Sequence, residues 1–193
     1  MALKLKTAPA VRPLTLAEVK AHCRVDSVDD DLLLDGLIDA AVTMLDGHRG
    51  ILGRCLIEQT WELYYDEFPS GDLQIPLGDV RAIESVEYVD MTSGLYVEWN
   101  VSNYETDLIS QPSWIVPIIG WPSHMTTTNA MRVTFVAGFG AAASDVPMAI
   151  RQAMLMLIGH WYENREATIS GVTSMPVPFA VEALLAPFRR VPV

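Results

Sequence analysis

The sequence predicts an α+β protein in which helical segments at both ends of the chain flank an inserted β-rich module. Apolar residues recur every three or four positions before residue 54 and after residue 140, whereas they alternate with other residues in between. The apolar stripes of the two helical parts can be buried only where they meet. We therefore expect an α-helical bundle core from the N- and C-terminal segments, with an inserted antiparallel β-sandwich or barrel-like module.

The same change of period sets the predicted boundaries. Residues 1–14 are typical of a flexible N-terminal arm. Residues 15–53 and 141–186 are assigned to the helical core, residues 54–140 to the β module and residues 187–193 to a C-terminal tail. A chain of 193 residues, 50% of them hydrophobic, can bury a core without disulfides or a metal ion.

Two helices are predicted before the β module. Thr15 and Glu18 have the spacing of a capping box, which indicates the start of a short helix. A longer helix is expected over residues 29–47, because its apolar residues fall on one face. Gly36 lies inside that helix at a cost of about 1 kcal/mol against alanine, so we expect close packing there. The apolar stripe comprises Leu34, Leu37, Ile38, Ala41, Val42 and Leu45.

The β module begins with the alternating residues Trp61, Leu63 and Tyr65, which predict a half-buried strand. Turn signals rich in glycine, proline, serine and aspartate separate further short strands, as is typical of an antiparallel sandwich or barrel. The further strands are predicted at residues 73–77, 83–90, 95–100, 104–109, 114–119 and 131–137.

The strongest helical periodicity follows Pro147, which fits the first turn of a helix because its missing N–H costs nothing there. Met148 and Met156 lie off the apolar face of this helix, and methionine adapts well to partner surfaces. We therefore predict that both methionines contact another subunit. A last short helix is expected over residues 179–186, after a loop at residues 168–176.

Several function classes are excluded by composition and motifs. The net charge of −11, from 13 basic and 24 acidic residues, argues against general nucleic-acid binding, which depends on neutralising phosphates. No nucleophile elbow, P-loop or G-x-G-x-x-G motif occurs, and no run of 18 apolar residues predicts a membrane span. Cys23 and Cys55 lack zinc-site spacing. We expect no enzymatic activity, no cofactor, no metal and no membrane partner.

Four aspartates form an acidic stripe along the second predicted helix, within about 80° of one another at 100° per residue. Three interpretations are open: a solvated face, a surface that lines a shared channel, or the carboxylates of a metal-dependent hydrolase. No histidine or second acidic helix is spaced to complete a metal site. The acidic stripe consists of Asp31, Asp35, Asp39 and Asp46.

Three tryptophans in the β module, Trp99, Trp114 and Trp121, allow a second function. Aromatic rings on a sheet can stack against ligands, which would suit a tail-associated protein that binds sugar or peptide. Core packing is the competing interpretation. It is favoured because Arg81 and Arg132 are the only cations between residues 55 and 140.

The segments MRVTFVAGFG at residues 131–140 and SDVPMAIRQAMLMLIGHWYENREAT at residues 144–168 resemble head–tail connector proteins. This family, also called adaptors, occurs in long-tailed bacteriophages, prophages and gene transfer agents. The most specific element is W-Y-E-N-R-E at residues 161–166. The segments LTLAEVKAHCRVD and DDDLLLDGLIDAAVTML are similar to the family's two N-terminal helices.

The resemblance implies a structural virion protein that is made in the bacterial cytoplasm and lies at the head–tail junction. Such proteins form a homo-oligomeric ring, commonly of twelve subunits, below the portal protein. The ring extends the DNA channel and joins the head to the stopper or tail-completion protein. DNA passes through the channel without specific binding.

Three surfaces are predicted for such a ring. Helix periodicity and residue types enriched in interfaces indicate subunit contacts at Met148, Met156, Trp161, Tyr162 and Arg165. The resemblance implies that the C-terminal segment docks on the portal, through Phe188, Arg189, Arg190 and Val191. An acidic wall repels phosphate, so the acidic stripe supplies candidates for the channel lining, namely Asp31, Asp35, Asp39 and Asp46.

Overall fold

The period-two segments form strands and the segments with helical spacing form helices in the computed structural model, which describes residues 1–164 and 179–190. The four α-helices are α1 (Leu16–Cys23), α2 (Asp31–Leu45), α3 (Met148–Glu163) and α4 (Phe179–Leu185). The eight strands are β1 (Ala2–Thr7), β2 (Gln59–Tyr65), β3 (Leu73–Gln74), β4 (Val80–Val89), β5 (Tyr96–Glu98), β6 (Tyr104–Asp107), β7 (Trp114–Pro117) and β8 (Met131–Ala137). The predicted mixed α and β character is confirmed.

The chain divides into two compact units. One unit contains residues 1–10 and 58–139, which include all the strands of the described residues. The other contains residues 11–57 and the described residues from 140 onward, which include the four helices. None of these helices combines the length and the apolar character needed to cross a membrane.

The strands form two antiparallel sheets, with the orders β1-β2-β8-β4-β5 and β3-β7-β6. Among the described residues, β1 pairs only with β2 and β5 pairs only with β4, so the larger sheet is open. The prediction of a barrel-like module is therefore wrong. Alternation along the sequence shows where strands lie, but it does not show whether the first and last strands meet.

The N-terminal residues are more ordered than predicted. Residues 1–14 were expected to form a flexible arm, yet residues 2–7 form β1 and pair with β2. The alternation of Leu3 and Leu5 with Lys4 and Lys6 explains this pairing, because it gives the strand one apolar and one basic face.

The helices before the β-rich segment begin and pack largely as the sequence indicates. Thr15 Oγ1 accepts the Glu18 N–H at 3.3 Å, and the Glu18 carboxylate accepts the Thr15 N–H at 2.8 Å, which confirms the capping box. A methyl group on Gly36 would meet no atom within 4 Å, so the expected close packing at Gly36 is wrong. The core side of α2 consists of Leu34, Ile38, Ala41 and Leu45.

Helix α3 is the centre of the helical unit, because it contacts α1, α2 and α4. Arg151 in this helix donates to the Pro13 carbonyl at 3.1 Å and also pairs with Glu18. The α3 helix is thereby fixed to the start of α1. Its buried residues are Ile150, Ala153, Met154, Leu157 and Ile158.

Candidate assembly surfaces

The acidic stripe on α2 is held by basic residues from earlier in the chain. Arg12 reaches Asp35 at 2.5 Å and Asp39 at 3.1 Å. Lys20 pairs with Asp31 at 2.5 Å. The hydrogen bond from Arg12 holds the pKa of Asp35 below its usual range. Three of the four aspartates therefore have cationic partners within the subunit, which reduces the negative charge of the stripe.

Asp46 has a different role from the other three aspartates. It follows the last residue of α2, and its Oδ1 accepts the backbone N–H of Leu56 at 2.6 Å. This bond ties the end of the helix to the chain that leads to β2. Across the described part of the chain, no group of three histidine, cysteine, aspartate or glutamate side chains is arranged to hold a metal ion.

The residues predicted for the subunit interface differ in exposure. Met148, at the start of α3, is 68% exposed, whereas Met156 and Trp161 are half-buried. The Tyr162 hydroxyl donates to Asp30 Oδ2 at 2.6 Å, so it joins the end of α3 to the start of α2. Arg165 lies outside the described residues.

An open cavity of about 450 Å³ lies between the end of α1 and the end of α3. His22 and His160 line it together with Cys23, Met156 and Glu163, among others. Burial, and then the negative charge of Glu163, raise the pKa of the Cys23 thiol. A raised pKa leaves less of the thiol in the thiolate form, which is the form that acts as a nucleophile.

The C-terminal residues predicted to dock on the portal are attached to the helical unit. The Arg54 guanidinium donates to the Phe188 carbonyl at 2.7 Å, and the Arg190 N–H donates to the Leu52 carbonyl at 3.0 Å. Burial and the nearby charge of Arg54 lower the pKa of Arg190. Arg189 is exposed. Val191 lies outside the described residues.

Two of the three tryptophans proposed for ligand stacking belong to one aromatic cluster. Phe68 stacks on Trp121 at 4.7 Å between ring centroids, Trp121 lies 5.1 Å from Trp99, and Trp99 stacks on Tyr104 at 5.3 Å. Trp99 is only 6% exposed. Tyr104 is buried as well, whereas Phe68 and Trp121 are half-buried, so the burial of Trp99 supports core packing for that residue. Trp114, in β7, makes none of these ring contacts.

One face of the five-stranded sheet carries a polar network that was not predicted from the sequence. Arg132 in β8 donates two hydrogen bonds to Glu87 in β4, at 2.8 and 2.7 Å. Its guanidinium also lies 4.5 Å from the centre of the Tyr96 ring in β5. The hydrogen bonds from Arg132 hold the pKa of Glu87 below its usual range. Only the strand register brings these distant residues together, although Arg132 stood out as a rare cation.

The sequence matches no protein-family model and no curated protein. Solved structures do match, among them chains of gene transfer agent (GTA) particles. One comes from the neck of an empty GTA particle computed with C6 symmetry, with a TM-score of 0.79 and 24% identity. Another comes from the virion of a native GTA particle, with a TM-score of 0.76 and 25% identity. A third comes from the neck of a native GTA particle computed with C12 symmetry, with a TM-score of 0.70 and 24% identity.

Each of these likenesses covers 100% of this chain and 97% of the matched chain. The protein therefore has the fold of a structural chain of phage-like particles. More particularly, it shares the fold of chains from the neck and virion of gene transfer agents. The predicted relation to structural proteins of such particles is confirmed at this level.

Proposed function

We propose that this protein is a head–tail connector subunit, which forms a ring below the portal of a phage or gene transfer agent particle and joins the head to the tail. The observation that supports it most is the fold shared over the full chain with GTA neck chains. The sixfold and twelvefold symmetry of those necks suits a ring-forming subunit. The subunit acts by structure and not by catalysis.

The portal-docking surface of this proposal is the C-terminal segment. The main-chain carbonyl of Phe188 accepts from the Arg54 side chain, and the main-chain N–H of Arg190 donates to the Leu52 carbonyl. The exposed side chain of Arg189 is left available to a partner. A segment already ordered in the free subunit loses less conformational entropy on docking than a free tail would. We expect the portal surface that it meets to be acidic.

The ring interface of the proposal includes the exposed start of α3 at Met148. The stopper or tail-completion protein binds the opposite end of the ring. The acidic stripe on α2 contributes to the lumen, where the negative charge that Arg12 and Lys20 leave uncompensated keeps DNA from adhering. A ring structure with a neutral or basic lumen would contradict this part of the proposal.

The test is reconstitution with the portal protein of the same particle. Native mass spectrometry and electron microscopy should detect a ring of this protein, alone or on the portal, and a portal complex that contains it. Absence of both a ring and a complex would refute the proposed function. A complex in which single subunits bind the portal without contacting each other would refute the ring.

A further inference from the structure

The five-stranded sheet presents two open edges of different chemistry. In the described part of the chain, the outer sides of β1 and β5 have no strand partner. Edge strands present main-chain N–H and C=O groups that can pair with a further strand. Such addition of a strand to an edge is a common mode of protein recognition.

The β1 edge is basic on one face and apolar on the other. Lys4 is paired in register with Glu62 and its side chain is 70% exposed, so it lies on the polar face of the sheet. Lys6 follows Leu5 at the point where the β1–β2 register shifts, and it is also exposed. Leu5, on the other face, is 41% exposed.

The β5 edge has the complementary pattern. Glu98 is exposed and lies directly opposite Glu87 in the β4–β5 ladder. Like charges opposite each other destabilise a strand pair. Arg132 compensates Glu87, whereas Glu98 forms no ion pair with the described residues. An additional cation beside Glu98 would therefore relieve an unbalanced charge.

The register places residues of complementary chemistry on the same faces of the two edges. Adjacent strands in the sheet are antiparallel, so β1 and β5, four steps apart, run in the same direction. A second copy that continues the sheet with the same strand direction and the same face outward would lay its β1 parallel to β5. Its Lys4 would then lie on the face of Glu98, and its Leu5 would lie on the face of Val97 and the exposed Leu95.

We propose that β5 of one subunit pairs with β1 of the next copy of this chain, so that the sheets continue from subunit to subunit. Two different surfaces that meet in this way form a heterologous contact, which closes into a ring when the rotation between copies permits. This inference rests on the proposed ring and assigns one of its contacts. It adds a β-sheet contact to the helical interface predicted from α3.

The experiment is a charge exchange between the two edges. In the variant Lys4→Glu/Lys6→Glu, the β1 edge becomes acidic like the β5 edge. In Glu98→Lys, the β5 edge becomes basic like the β1 edge. Each variant alone should need a concentration at least roughly tenfold higher than wild type for half-maximal ring assembly, because like charges then meet at every contact. A 1:1 mixture should assemble again, since alternating subunits restore opposite charges at each contact. Glu105→Lys, at an exposed site in β6, is the matched control and should assemble like wild type.

Native mass spectrometry and electron microscopy count the subunits, and circular dichroism verifies that each variant is folded. Wild-type rings together with unimpaired single variants would overturn the sheet contact and leave the proposed function standing. Impaired variants that the mixture does not rescue would also overturn it, since rescue is specific to contact between the two edges. Failure of the wild-type protein to form rings, alone or on the portal, would overturn both proposals.

Discussion

Replacing Gly36 with alanine should stabilise the subunit. Gly36 lies within α2 and is exposed, and a methyl group there would meet no atom within 4 Å. The substitution leaves the packing unchanged and reduces the conformational freedom that the unfolded chain loses on folding. The expected gain in the free energy of unfolding is about 0.5–1 kcal/mol.

The gain is large enough to measure. In a chain of 193 residues it corresponds to a rise in Tm of about 1–4 °C. Thermal unfolding followed by far-UV circular dichroism gives Tm, and urea titration gives the free energy independently. Both measurements should be made at a concentration where the protein is monomeric, because assembly itself raises Tm.

Gly50→Ala is the matched control for this prediction. A Cβ at Gly50 would lie 2.4 Å from backbone atoms of Leu45 and Asp46, so the chain must shift to accommodate it. This variant should lose more than about 1 kcal/mol of stability. A lower Tm for Gly36→Ala, or equal shifts for both variants, would refute the reasoning that Gly36 faces open space and Gly50 does not.

Three further predictions concern the sheet, the aromatic cluster and the C-terminal segment. Trp99→Ala should lower the free energy of unfolding by about 3–5 kcal/mol in urea titration, because Trp99 is buried between aromatic rings; a nearly unchanged stability would favour a ligand-stacking role. The hydrogen bonds from Arg132 lower the pKa of Glu87 in the folded protein. The pair therefore contributes its full stabilisation at pH values above the ordinary glutamate pKa, and this contribution is lost as the pH falls through the lowered pKa of Glu87. Glu87→Gln should therefore flatten the acid side of the stability profile, and an unchanged profile would contradict this. Arg189→Glu should weaken portal binding in surface plasmon resonance by roughly tenfold. Arg24→Glu on α1's end should leave portal binding unchanged, and equal effects would argue against C-terminal docking.

The local features of the fold could be predicted from the sequence better than the pairing of the strands at the edges of the sheet. The capping box at Thr15 and the strand at residues 131–137 follow from patterns within a few residues, and the structure contains both. β1 was missed because six alternating residues beside a proline-rich segment are a weak signal. The open sheet was missed because edge pairing depends on where strands from distant segments lie.

The candidate surfaces show the same limit. The acidic stripe on α2 was evident from spacing alone, but its cations, Arg12 and Lys20, come from segments outside the helix. That Glu87 and Glu98 lie opposite each other follows only from the pairing of β4 with β5. The charge pattern within one helix or strand can be predicted from the sequence. Which charges pair between different helices or strands depends on how those elements pack and on the strand register.

The distance along the chain between β1 and its partner also affects how the protein is made. About 50 residues, including both N-terminal helices, separate the end of β1 from the start of β2. At ordinary rates of translation β1 emerges roughly 3–10 s before the strand that pairs with it. During that interval the strand is exposed on the nascent chain, where an apolar strand would be prone to aggregate. Lys4 and Lys6 interrupt the apolar pattern of this strand, which disfavours such aggregation before β1 pairs with β2.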